Sequence, residues 1–140
     1  MSEGQGSAGD GDVLAGTVVS VGIHALMLAA LLTVLMVVVP KFEKIFENFG
    51  TDLPALTTVL LAAGRYCLEE PGYVLLIVVV ALGADAGVTY LLRSQNDTSL
   101  AGMWNVAVIV LLGAGLAGIV LGVFLPLVWL MTSVGQQAGG

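Results

Sequence analysis

The stretch Trp104-Asn-Val-Ala-Val-Ile-Val-Leu-Leu-Gly-Ala-Gly-Leu-Ala-Gly-Ile-Val-Leu-Gly-Val-Phe-Leu-Pro-Leu-Val-Trp-Leu-Met131 decides the fold. It has no ionisable side chain, and Asp, Glu, Lys and Arg are absent from all of Thr98–Gly140. A soluble domain of this length cannot hide such a run, whereas about 20 apolar residues in a helix cross a bilayer. Trp104 and Trp129 stand near its two ends, where aromatic side chains favour the membrane interfaces. Two more runs flank it upstream. Val13–Val39 contains no Asp, Glu, Lys or Arg, and Tyr73–Leu92 contains only Asp85. Across all 140 residues the hydrophobic fraction is 58%, the charged fraction 10% and the mean hydropathy +1.03. Soluble domains carry about 25% charge. The sequence therefore predicts an all-α polytopic membrane protein with spans at about 13–39, 73–92 and 104–131.

Residues 1–12 are Gly-rich and acidic and read as a disordered tail. They have neither the basic n-region nor the short apolar core of a signal peptide, so the first span is expected to remain as an anchor. Residues 13–140 read as a single membrane domain. Pro40 cannot continue a helix without losing a hydrogen bond and is expected to close the first span. Beyond it, Phe42, Ile45, Phe46 and Phe49 recur at helical spacing among Lys41, Glu43, Lys44 and Glu47. That pattern is an amphipathic helix at about 41–50, ended by Gly50. Asp52 is a candidate N-cap and Pro54 a first-turn residue for a second helix at about 54–69. The two helices are expected to form an interfacial hairpin between spans one and two.

The net charge of −6 excludes a nucleic-acid footprint. One cysteine, Cys67, and one histidine, His24, give no metal-ligand spacing and no nucleophile–base pair. No catalytic residue, metal or cofactor is expected, and an enzyme is not expected. Asp85 is the one acid inside a span, and intramembrane carboxylates mark ion paths or helix pairing. With spans one and two antiparallel, His24 and Asp85 fall in the same half of the bilayer. A bond between them is open, but the preferred reading sets His24 against small residues or a partner subunit and leaves Asp85 structurally paired or hydrated. Gly83/Gly87 and Gly118/Gly122 are small residues four apart, which let helix backbones approach in lipid. Together with Phe42, Phe46 and Phe49 they are the candidate packing surfaces. Three spans make a thin bundle, so the expected partners are lipid and other integral membrane subunits in a homo- or hetero-oligomer.

The segment from Val37 to Thr57 resembles the type II secretion system F family, the inner-membrane platform proteins of type II secretion and type IV pilus assembly. The residues that carry the resemblance are Val38, Val39, Pro40, Phe42, Phe46, Gly50, Leu53, Pro54 and Thr57, in register. Val123–Gly135, with its Leu125-Pro126, is similar to the family's closing helix. Family members carry helical cytoplasmic domains before span one and between spans two and three. Here a 12-residue tail and the ten-residue loop Ser94–Met103 occupy those places, so the resemblance covers the membrane portion. It implies a non-catalytic scaffold in a bacterial inner membrane, with residues 41–72 on the periplasmic side. The basic residues Lys41, Lys44 and Arg65, against Arg93 alone across the membrane, point to the opposite orientation. Two other functions compete: an accessory subunit of an unrelated respiratory or photosynthetic complex, and a small ion- or proton-conducting protein using Asp85.

Overall fold

The computed structural model describes residues 6–49, 55–95 and 98–138. Among these residues five α-helices follow in chain order: α1 (Gly6–Thr33), α2 (Val39–Phe49), α3 (Ala55–Glu69), α4 (Pro71–Ser94) and α5 (Thr98–Ala138). A π-helical turn, Val34–Val38, joins α1 to α2. No strand occurs among the described residues. Among the described residues three helical stretches are long and apolar enough to cross a membrane: Gly9–Ile45, Pro71–Ser94 and Ser99–Val128. The protein is thus an all-helical, multi-pass membrane protein.

Three boundaries differ from the sequence reading. α1 begins at Gly6, inside the stretch expected as a tail. Pro40 does not end the first span. Its missing N–H and bulky ring are accommodated one turn earlier, where the Val39 N–H donates to Val34 O, five residues back, instead of four. The widened turn lets the helix continue, so the amphipathic segment extends the first span directly. The 37 residues of Gly9–Ile45 reach roughly 55 Å at about 1.5 Å each, well beyond a hydrocarbon core of about 30 Å. Finally, α4 starts at Pro71, a single residue after α3, because proline is suited to a first helical position. Gly50, Asp52 and Pro54, expected at the α2–α3 turn, lie outside the described residues.

The chain divides into two compact units, where the sequence suggested a single membrane domain. The first comprises Met1–Ala29 and Gly72–Gly113, the second Ala30–Pro71 and Ala114–Gly140.

The second unit is organised around α3. Its buried residues Thr57, Leu61, Gly64 and Cys67 fall at spacings of four, three and three, one face of a helix. At its C-terminal half, a Cβ on Gly64 would stand 2.8 Å from Leu35 O and 3.8 Å from a Val39 methyl. Leu35 O belongs to the π turn. Its donor five residues on would be Pro40, which has no N–H, and the Val39 amide is engaged with Val34 O. The bare Cα of Gly64 thus lets α3 close against a carbonyl that its own helix serves poorly. At the N-terminal half, Thr57 Oγ1 donates to Gly122 O at 2.7 Å. Gly122 lies four residues before Pro126, so its carbonyl lacks the usual helical donor, and the threonine hydroxyl replaces it. One helix therefore braces both proline interruptions. Arg65 pairs with Glu43 of α2, and the Phe42 and Phe124 rings meet at 5.8 Å between centroids, tilted by 55°, within the range of favourable aromatic pairs.

Candidate functional site

Three helices of the first unit converge on Asp85. His24 Nδ1 of α1 lies 2.7 Å from Asp85 Oδ2, and Trp104 Nε1 of α5 donates to Asp85 Oδ1 at 2.9 Å. An ionised carboxylate only accepts hydrogen bonds, so against one His24 Nδ1 is the donor; the roles of the ring nitrogens follow the tautomer. The pair is sequestered: His24 is 1% exposed and Asp85 8%. The reading that set His24 against small residues or a partner subunit is corrected here. The histidine binds the aspartate of its own chain.

The local sequence explains the meeting. On α1, Thr17, Ser20 and His24 are the buried polar residues, at spacings of three and four, which places them on one helix face. On α4, Asp85 and Thr89 are buried one turn apart, with Arg93 one turn further. Running antiparallel, the two stripes match rung by rung: His24 with Asp85, then Arg93 Nη2 donating to Ser20 Oγ at 3.1 Å. Thr89 stands between these rungs. A Cβ on Gly16 would collide with the Arg93 guanidinium, so glycine at that position makes room for the arginine to lie along α1. Thr17 Oγ1 returns its proton to Val13 O in its own helix at 2.8 Å.

Both carboxylate oxygens of Asp85 are engaged, which makes the cluster a three-helix clasp. Lipid offers no hydrophobic drive between helices, so polar contacts and close packing must hold a bundle. Removing one member would leave a buried polar group without its partner, and that carries a penalty larger than the net value of the bond. Among the described residues no group of three His, Cys, Asp or Glu could hold a metal ion. Cys67 is a buried free thiol on the packed face of α3.

The glycine and phenylalanine surfaces part company. A methyl added at Gly83, Gly87 or Gly118 would meet nothing within 4 Å among the described residues. At Gly122 it would stand 2.6 Å from Leu60 Cδ1 and 3.2 Å from Leu56, so this glycine serves packing inside the chain. Phe42 likewise packs internally, on Phe124. The backbones of Phe46 and Phe49 continue α2, while their side chains and that of Trp129 lie outside the described residues. Sequence reasoning missed Ser20, Thr89, Trp104 and Thr57 as partners. The available signal was the helical spacing of polar residues on α1 and α4, and the placement of Pro126 four residues after Gly122. No protein family, characterised protein or solved structure matches the chain.

Proposed function

We propose that this chain is a non-catalytic scaffold subunit of a bacterial inner-membrane assembly, a reduced relative of the type II secretion F-family platform. One observation carries the reading. The two segments that bear the family resemblance meet through the Phe42–Phe124 rings, and Thr57 Oγ1 at the end of the first donates to Gly122 O, the residue just before the second. That contact supports reading the two stretches together, as one braced module. The uncovered small-residue positions Gly83, Gly87 and Gly118 are where further membrane helices would approach. The full engagement of both Asp85 oxygens supports a clasp over an ion-carrying carboxylate.

Site-directed disulfide crosslinking in native membranes tests the reading. With Cys67→Ser as background, single cysteines at Gly83, Gly87 or Gly118 are expected to crosslink to other integral membrane chains bearing matching cysteines, including a second copy. If all three positions yielded only uncrosslinked monomer, the scaffold reading would be abandoned.

A further inference from the structure

Among the described residues, the buried polar side-chain atoms without a hydrogen-bond partner are His24 Nε2, Thr89 Oγ1, Arg93 Nε and Asn105 Oδ1. All four belong to the first unit. Three of them follow one another along the α1–α4 seam, since Thr89 stands between the His24–Asp85 and Ser20–Arg93 rungs. The fourth neighbours Trp104, whose indole is already bound to Asp85. Buried polar groups in native proteins are almost always satisfied, and where protein atoms do not serve them internal water does, each molecule making about three bonds. Isolated orphans scattered over a fold would suggest nothing. Here they form a file that begins at a carboxylate–imidazole pair and ends at an arginine in the last turn of a span.

The file has one end. Beyond Asp85 in the other direction, α4 reads Tyr73-Val-Leu-Leu-Ile-Val-Val-Val-Ala-Leu-Gly-Ala84, with no polar side chain after Tyr73. The facing α1 residues Ala25–Ala29 are apolar, as are Val106–Gly113 of α5. The charged or titratable groups facing the pair are its own two members and Arg93, and α5 brings none.

We propose that water enters this unit along the α1–α4 seam from the Arg93 end as far as the His24–Asp85 pair, giving the pair proton exchange with one aqueous side only. The proton balance is simple. A water at His24 Nε2 gives up a proton as the Nε2–H bond forms, and that water regains one from the next along Thr89 and Arg93, so the net event moves one proton from bulk solvent to the imidazole. Throughout, Nδ1–H stays on the carboxylate. Nothing crosses the membrane, because no polar group continues the file. The inference does not depend on the scaffold reading, since it concerns only the interior of one unit.

The chain has a single histidine, so protein labelled with ¹⁵N-histidine and placed in lipid nanodiscs gives one unambiguous pair of ring signals. Magnetisation transfer from water to His24 Nε2 is expected in the wild type. Thr89→Val should reduce it by about tenfold, the effect of deleting one bridging hydrogen bond, and Thr89→Ser should restore it. Ser20→Ala asks the same question should Thr89→Val fail to fold. In proteoliposomes, an external pH step should shift the His24 signal only in molecules whose Arg93 end faces outward, identified by an impermeant thiol label on Gln95→Cys. Absence of water transfer in the wild type would overturn the proposal. Transfer that survived Thr89→Val and Ser20→Ala, or a response to pH from both sides, would overturn it equally.

Discussion

The two units solve the same problem with different chemistry. In the first, side chains hold the helices: an aspartate bound by a histidine and an indole, and an arginine laid along a neighbouring helix onto a serine. In the second, backbone does most of the holding. Gly64 admits the Leu35 carbonyl, Gly122 admits Leu60 and Leu56, and Thr57 repairs the carbonyl that Pro126 leaves unserved. The emphasis differs between the units. The polar unit's glycines Gly83 and Gly87 meet no neighbour among the described residues, and the braced unit has no buried polar side-chain atom without a partner among them. Within lipid, helix association can come from polar side chains or from close backbone approach, and this chain uses the two in separate places.

The contrast breaks most visibly at a single methyl. Gly64→Ala puts a Cβ against a backbone oxygen that cannot rotate away, so the mutant should lose about 2 kcal/mol of stability through overpacking, despite the higher helix propensity of alanine. Denaturant titration in mixed micelles, read by circular dichroism, measures this. An unchanged midpoint would mean that α3 is not braced on the π turn.

The next largest effect is expected in the polar unit. A double-mutant cycle of His24→Ala and Asp85→Ala should give a coupling of about 1.5 kcal/mol, near the upper end for polar pairs between membrane helices. Additive single mutants would show that the clasp contributes nothing.

These two sites also show what the sequence made legible. The three spans were plain, because long charge-free runs have few alternatives. Pro40 misled because the rule that proline ends a helix assumes that the preceding turn cannot widen, and a π turn does so. His24 and Asp85 were both visible and a bond between them was open, but packing of His24 against small residues or a partner subunit was preferred. What tips the choice to their bond is the pair of buried polar stripes, Thr17/Ser20/His24 and Asp85/Thr89/Arg93, which face each other on α1 and α4. Trp104 was read as an interfacial anchor from its place near a helix end, while its indole N–H reaches inward to the carboxylate. Gly122 was read with Gly118 as a candidate packing surface, but its tie to Thr57 spans 65 positions and is in no local pattern.

A smaller effect separates repair from ordinary hydrogen bonding. Thr57→Val should cost about 1 kcal/mol, the value of one net hydrogen bond. In a Pro126→Ala background the restored amide can serve Gly122 O, and the same substitution should then be close to neutral. An equal loss in both backgrounds would mean that Thr57 is not compensating for the proline. Smallest of all, Gly83→Ala is expected to change the stability of the isolated chain by no more than about 0.5 kcal/mol, as for surface positions without a partner. A loss comparable to that of Gly64→Ala would reveal an unrecognised contact inside the chain.

The central claim, that this chain works as a subunit packed among other membrane helices, is tested most directly by native mass measurement after extraction in mild detergent. Gly118→Leu combined with Gly83→Leu leaves the internal contact at Gly122 intact, so it challenges only the uncovered faces. The account predicts that the wild type emerges in an assembly larger than its own 14.3 kDa, and that the double mutant emerges as a folded monomer with its water-to-His24 and clasp signatures unchanged. A wild type that is already a folded, monodisperse monomer, indistinguishable in mass from the double mutant, would contradict it.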